Sequence, residues 1–334
     1  MGGSSYLHFV VMAQQGRSPT QQPRNIKSQN ITCDSEFHLM RLSEDTDLQP
    51  ILFGLFLSMY LVTVLGNLLI IVAVTNDPHL HTPMYFFLAN LSFVDICFIS
   101  TTIPKLIVNI QTHSDVITCV GCLTQMSLFV MFLVMDDMLL TAMGYDRYVA
   151  ICHPLHYPVI MKPHLCVFLV LASYFISFVD SQVHNLIILQ PTYFNSIEIS
   201  NFFCHPSQVL DISCSDSFTK NLVTYFVGAI FGFLPVSGIF FSYYKIFSSI
   251  MKIPSSSRQY KVFSTCGSHL TVVCLFYGTG IWEYLGSAVS HSPSNGIMAT
   301  LMYTVITPML NPFIYSLRNR DVVSSLKRVY RKKI

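Results

Sequence analysis

Four carboxylates and one acid–base pair stand in sequence that is otherwise too apolar to hold charge. Asp95, Asp136, Asp137 and Asp180 interrupt long uncharged runs, and Asp146-Arg147 closes one of them. A charged side chain near the middle of a bilayer costs about 2.5–3.5 kcal/mol by insertion scales, so each must find a partner or a task. For Asp95 the available groups are Asn67, Ser92, Asn311 and whatever an opposite helix presents. Two close carboxylates without a cation share a proton. The chemistry in view is therefore ion or proton holding. Catalysis has little support: Asp136 and Asp137 are adjacent and lie on neighbouring faces, and there is no HExxH motif. Asp137 has no evident partner in the sequence. No CxxC or Cys/His metal spacing stands out. Cys97, Cys152, Cys166, Cys266 and Cys274 lie in apolar runs and read as core thiols.

The elements that must position these residues are membrane helices. The chain has 334 residues, 52% hydrophobic and 11% charged, against about 25% charged in soluble domains. About 20 mostly apolar residues span a bilayer core. Seven stretches qualify: Ile51 to Thr75, Met84 to Val108, Val116 to Tyr145, Leu165 to Leu189, Asn221 to Tyr244, Val262 to Trp282 and Ile297 to Leu317. Short loops rich in Pro, Asn, Ser, His or Asp separate most of them; the exception runs from Gln190 to about Phe218. The fold class read here is an all-α membrane protein, a seven-transmembrane helix bundle. Residues 1–49 form a largely disordered outer segment, 50–318 the bundle and 319–334 a short tail.

Seven spans place the termini on opposite sides. Of the 19 Lys and Arg residues, six (Arg17, Arg24, Lys27, Arg41, Lys105 and Lys220) fall on the N-terminal side. The remaining thirteen fall on the C-terminal side, which makes that side cytoplasmic. Independently, Asn30-Ile31-Thr32 is a glycosylation sequon, usable only on the lumenal side. The sequon Asn90-Leu91-Ser92 lies inside the second span, out of reach. In the tail, Val322, Val323, Leu326, Val329 and Tyr330 recur at helical spacing among basic residues. That pattern makes an amphipathic helix on the inner leaflet, or else a disordered basic tail. The Met-Gly start lacks the Ser or Thr of a myristoylation signal at residue six. The run His8 to Met12 is too short for a cleavable signal. The first 25 or so residues read as a polar extension.

Motifs in order along the chain carry a resemblance. These are Gly66-Asn67; Pro83-Met84-Tyr85-Phe86-Phe87-Leu88; Leu91-Ser92-Phe93-Val94-Asp95; and Met143-Gly144-Tyr145-Asp146-Arg147-Tyr148 running into His153-Pro154-Leu155-His156-Tyr157. Further on come Lys261-Val262-Phe263-Ser264-Thr265-Cys266-Gly267-Ser268-His269-Leu270, Phe276-Tyr277-Gly278-Thr279, and Pro308-Met309-Leu310-Asn311-Pro312-Phe313-Ile314-Tyr315. From about Leu48 to Asp321 the chain resembles the olfactory receptors of the rhodopsin-like G-protein-coupled class. The Lys-Val-Phe-Ser-Thr-Cys and Pro-Met-Leu-Asn-Pro segments look like this group in particular.

The resemblance implies roles. Arg147 is held by Asp146 at rest and faces a G-protein cavity on activation, with Tyr148 beside it; the plain alternative is a snorkelling Arg at a helix end. Asp136 is an acid position in this group, and with Asp95 it could bind a sodium ion; the alternative is a structural network of hydrogen bonds. Pro312 kinks the last span, letting Tyr315, with Tyr243, swing toward Arg147. Cys122 and Cys204 staple the outer side. Twenty-five residues of helix, about 37 Å, separate Cys122 from Arg147, so the two lie at opposite surfaces. Cys204 sits in the long outer loop, an oxidising setting. The chain departs from the group where Tyr193-Phe194 replaces a loop cysteine about ten residues before Cys204. That leaves Cys214 without its usual partner. Cys119 could substitute, with Cys33 competing, or both thiols stay free.

Ligand positions also follow from the resemblance: Phe129, Val130, Leu133, Val134, Val227, Phe231, Tyr277, Gly280, Ile281, Tyr284 and Thr304. Most are apolar, which suits a small neutral volatile molecule held by shape and one or two hydrogen bonds; each could equally be helix packing. The implied function is an odorant receptor acting through a stimulatory olfactory heterotrimeric G protein and cyclic AMP, multi-pass in the plasma membrane. Membrane lipid is the other partner. No enzyme activity, resident cofactor or nucleic-acid partner is expected. Alternatives are a chemosensor outside the nose, or a poorly functional receptor weakened by Gly144 and the missing cysteine. A transporter would favour inverted repeats and broken helices, and no convincing repeat is found.

Overall fold

Apolar runs that open on proline become helices, because proline tolerates the first turn and has its φ already set. The computed structural model describes residues 36–43, 45–189, 196–212, 217–289, 293–318 and 320–332. The long helices are α1 (Gln49–Asn76), α2 (Pro83–Thr112), α3 (Cys119–Cys152), α4 (Pro163–Leu189), α5 (Ser217–Ile250) and α6 (Ser256–Val289). The seventh span is composite. It comprises α7 (Pro293–Leu301), a π-helical turn (Met302–Ile306) and α8 (Thr307–Arg318), followed by α9 (Arg320–Lys332). Thr307 Oγ1 donates to the Met302 carbonyl at 3.1 Å, across the π turn.

Six described helices are long and apolar enough to cross a membrane. They are α1 to α5 and the composite last span. The sixth apolar stretch read from the sequence, Val262 to Trp282, lies within α6. The outer faces are apolar, as a lipid solvent demands: Phe168 and Phe175 on α4 and Phe233 and Phe240 on α5 are exposed. Helix α3 is the hub, packed against α2, α4, α5 and α6.

One boundary differs from the sequence reading. Val116 to Thr118, expected at the start of the third span, is a strand, β2 (Val116–Thr118). The β-branched Val-Ile-Thr run favours extended pairing. The Thr118 hydroxyl then caps the helix by accepting from Gly121 N at 3.1 Å. Helix α3 also continues past Tyr145 to Cys152.

Strand β2 belongs to a small sheet that the hydropathy pattern did not reveal. The other members are β1 (Glu36–Leu39) and β3 (Glu198–Ile199), in the order β2-β1-β3. β1 runs antiparallel to β2, with Phe37 opposite Ile117, and parallel to β3, with His38 opposite Glu198. Alternation along β1 turns Phe37 and Leu39 inward, onto Ile117, Met126, Ile188 and Ile199. Asp115 joins the sheet end through His38 Nδ1 at 3.3 Å and Arg41 Nε at 3.2 Å. Burial would raise the Asp115 carboxyl, but His38 and Arg41 outweigh it and hold the group below the usual carboxylate range.

At the other end the amphipathic tail is helical, and α9 docks on α1, a contact the sequence pattern did not indicate. Val322 is buried, and Ser325 Oγ donates to the Ala73 carbonyl at 3.3 Å. Arg328 grips Asp77 through Nε at 3.0 Å and through Nη2. That contact, with help from His79, pulls the Asp77 carboxyl well below its ordinary range.

Candidate functional site

Polar groups in this bundle gather at three levels. At the α9 end, Asp146 is wholly buried and saturated. Its Oδ2 accepts from Arg147 Nη2 at 2.6 Å and Nε at 3.2 Å, and its Oδ1 accepts from Tyr157 at 2.7 Å. Tyr157 opens a single helical turn (Tyr157–Ile160) in the α3–α4 connection. Tyr148, in the last turns of α3, bonds Nε2 of His153, the residue that ends that helix, at 3.0 Å. The pairing read from sequence is thus present, and Tyr157 is a third member that sequence reading quoted only as loop.

Tyr243 does not reach Arg147 here. Its hydroxyl meets His269 Nδ1 at 2.7 Å, with the rings stacked 5.6 Å apart. His269 Nε2 lies 3.0 Å from the Leu140 carbonyl. A carbonyl only accepts, so a neutral His269 carries its proton on Nε2 and accepts from Tyr243 on Nδ1. One imidazole therefore ties α3, α5 and α6 together. The sequence showed His269 only as part of a motif; its position in an apolar run was the available signal. A Cβ at Gly144 would meet His269 Cε1 at 3.6 Å, an ordinary contact, so the approach of this ring does not require the glycine.

In the middle level, Asn311 Nδ2 donates to both oxygens of Asp95 at 3.0 Å. Asn311 reaches α2 because Pro312 follows it in α8, and Gly66 of α1 packs on that proline. Asn67 Nδ2 bonds the carbonyls of Thr63 at 3.1 Å and Pro308 at 3.4 Å. Of the buried side-chain oxygens without a hydrogen-bond partner among the described residues, four bear on this network: Asp136 Oδ1, Asn67 Oδ1, Asn311 Oδ1 and the Tyr315 hydroxyl. Buried polar atoms are rarely left so. Asp137 turns elsewhere, accepting from the Tyr277 hydroxyl of α6. Asp180 pairs within α4, 3.7 Å from His184 Nδ1.

The sheet-end level holds most of the expected ligand positions. Phe129, Val130 and Val134 are buried on α3, and Leu133, Val227 and Phe231 are half-buried. Phe129 packs between the tilted rings of Phe98 at 5.1 Å and Phe203 at 4.9 Å. Phe203 is placed by its neighbour Cys204, which is bridged to Cys122 with Cα atoms 5.4 Å apart. Gln125 adds a second tie, accepting from Cys204 N at 3.0 Å and donating to the Thr101 carbonyl at 2.9 Å. Two expected hydroxyls are already engaged: Tyr277 by Asp137, and Thr304 by the Thr300 carbonyl at 2.8 Å. Gly280 faces Tyr303, whose ring a Cβ would meet at 3.7 Å. Ile281 is a correction. It is 58% exposed on the outer face of α6 and cannot line an interior site, because a helix turns 100° per residue away from Gly280. The Tyr284 side chain, Asn30, Cys33 and Cys214 lie outside the described residues.

Cys119 is disulfide-bonded, and so not a free thiol. Cys119-Val120-Gly121-Cys122 is a Cys-x-x-Cys spacing after all, but Cys122 is bridged to Cys204 and Cys119 is also disulfide-bonded, so neither thiolate is free to hold a metal. Cys97, Cys152, Cys166 and Cys266 are free and at least half-buried, whereas Cys274 is exposed rather than in the core. Among the described residues no three His, Cys, Asp or Glu side chains converge as a metal cluster.

A bundle of this kind, stapled at one end and closed by an Asp-Arg-Tyr segment at the other, defines a seven-helix membrane receptor. Comparison with known proteins narrows the class. The sequence matches the profile described as olfactory receptor over residues 56–333. It is 65% identical over 312 residues to mouse (Mus musculus) "Olfactory receptor 7E178", covering 93% of this chain and 94% of that one. It is 66% identical over 308 residues to human (Homo sapiens) "Olfactory receptor 7E24", covering 92% and 91%. A second human relative, "Olfactory receptor 7D4", is 59% identical over 304 residues, covering 91% and 97%. The chain belongs to the olfactory receptor family. That family is one of receptors, not of enzymes.

Proposed function

We propose that this protein is an odorant receptor that binds a small neutral volatile molecule among α3, α5, α6 and the last span, and activates a stimulatory heterotrimeric G protein. The output is a rise in cyclic AMP. The observation that carries the reading is the saturated Asp146–Arg147–Tyr157 cluster at the α9 end. A buried guanidinium held by one carboxylate is a group that a partner can extract, given a compensating site. The Lys/Arg bias and the Asn30 sequon support an outside N-terminus and an inside C-terminus. The chain is then multi-pass, with its sheet facing out and α9 facing in.

We also assign a sodium ion to the middle level. Asp95 and Asp136 would supply the charge, and the unpartnered oxygens of Asn311 and Asn67 are donors of the right type for a hard cation. Bound there, the ion would neutralise two carboxylates that otherwise share a proton.

The test is cyclic AMP in cells that express the chain with the olfactory stimulatory G protein, across an odorant panel, with surface labelling. A dose-dependent rise that Arg147→Ala abolishes is expected. A well-labelled chain whose response survives Arg147→Ala would overturn the coupling role. Replacing external sodium with choline should change agonist potency in the parent chain and leave Asp136→Asn unaffected.

A further inference from the structure

Asp137 is the acid for which the sequence offers no partner, and the fold brings one from another helix. Its carboxylate is 6% exposed and accepts from Tyr277 of α6. One turn further along α3, Thr141 Oγ1 donates to the Asp137 carbonyl at 3.0 Å and to the Pro235 carbonyl of α5 at 3.1 Å. Asp137 thus stands where α3, α5 and α6 meet. Val134, Leu133 and Val130 lie three, four and seven residues earlier, on the same face of α3. On α6, Gly280 is three residues beyond Tyr277. Phe276 lies 5.3 Å from the Tyr277 ring and 5.8 Å from the Tyr303 ring, centroid to centroid. The expected ligand positions therefore converge toward one carboxylate, and its only described side-chain donor is a phenol.

We propose that Asp137 is the polar recognition group of the ligand site, and that it selects small apolar molecules carrying a hydroxyl. The ligand donates its O–H to the Asp137 carboxylate, displaces the Tyr277 hydroxyl and so unties α6 from α3. This deepens the receptor reading above and rests on it. One O–H donor replaces another, so the carboxylate is never left bare, and the ligand oxygen, an acceptor as well as a donor, takes up the freed Tyr277 hydroxyl in turn. An ionised Asp137 rejects ethers and ketones, because they only accept and two acceptors repel. An ammonium would have to shed its water among Phe98, Phe129 and Phe203, which an uncharged alcohol avoids. Buried hydrogen-bonding sites reject analogues that lack the matching group far more strongly than apolar pockets do. The released Tyr277 then shifts the equilibrium toward the state in which α6 is free.

The experiment uses the full chain in cells, with cyclic AMP normalised to surface labelling. The probes are n-heptanol, n-octanol and para-ethylphenol, their methyl ethers and the matched amines. Hydroxyl compounds should act at concentrations at least about tenfold below their ethers. Tyr277→Phe should raise the basal signal several-fold and lower the effective alcohol concentration, because no hydroxyl competes; a merely structural loss would not improve potency. Asp137→Leu should erase the alcohol-over-ether preference. Equal potency of alcohols and ethers, stronger action by amines, or a preference that survives Asp137→Leu would overturn the proposal. A raised basal signal in Tyr277→Phe, abolished by Arg147→Ala, with silence to every hydroxyl probe would overturn the ligand class and leave coupling standing. A labelled chain with no basal change and no response would count against both.

Discussion

The two polar levels of the bundle are built on opposite terms. At the α9 end each oxygen of Asp146 is engaged, by Arg147 and by Tyr157, and Asp77 is gripped by Arg328 and His79. In the middle, Asp95 is engaged by one amide, while Asp136, Asn67, Asn311 and Tyr315 keep buried oxygens without partners among the described residues. Saturation makes a latch that holds one state until something competes for its arginine. Unsatisfied oxygens make a place that is incomplete without an ion or water. The receptor reading needs both: a closed end for the partner to open, and a middle that can rearrange.

The largest effect should come from the saturated end. Asp146→Ala strands a mostly buried guanidinium, and breaking a buried pair costs about 3–5 kcal/mol. Surface level should fall sharply, and the receptor that remains should show a raised basal signal per labelled molecule. A normal surface level would mean the latch is exposed to solvent rather than closed.

A middle-sized effect is expected where the middle level is tied. Asn311→Ala leaves Asp95 without its one described amide and should cost about 1–3 kcal/mol, read as a lower melting temperature in detergent. Gly66→Ala should cost a similar amount, because its Cβ would lie 3.1 Å from Pro312 Cβ and Cγ and would press on the kink that aims Asn311. By contrast Asp136→Asn should shift the melting temperature little, since Asp136 Oδ1 has no described bond to lose. A large loss there would show that the middle is as saturated as the end.

The smallest effect concerns pH. The Asp77 carboxyl is lowered on folding, so its contribution is complete above the ordinary carboxylate value, about pH 4, and fades only as pH falls through the lowered native value. Hydrogen exchange of α9, corrected for intrinsic rate, should therefore be flat between pH 5 and 8. A transition inside that window would place control of α9 with a histidine such as His79 instead.

Much of the bundle was legible in the chain because a membrane span is a property of about 20 consecutive residues. Ile51 to Thr75 and Leu165 to Leu189 lie within α1 and α4 for that reason. The Asp146–Arg147 pair was legible because its members are neighbours. The sheet was not: β1, β2 and β3 are two to four residues each, too short for a hydropathy pattern, and their pairing joins segments far apart in sequence. Ile281 was misplaced because position within a span does not tell which face of a helix meets lipid.

The sequence by itself determined the helices, their order, the charged groups they carry and the family to which the chain belongs. Each follows from local composition or from contiguous motifs. Only the tertiary structure decided which acid meets which donor: Asp95 with Asn311 across 216 positions, Asp137 with Tyr277 across 140, and His269 between Leu140 and Tyr243. The physical reason is that a hydrogen bond acts within about 3 Å. Partners at that range are fixed by the rotation and depth of packed helices, which no single stretch of sequence encodes.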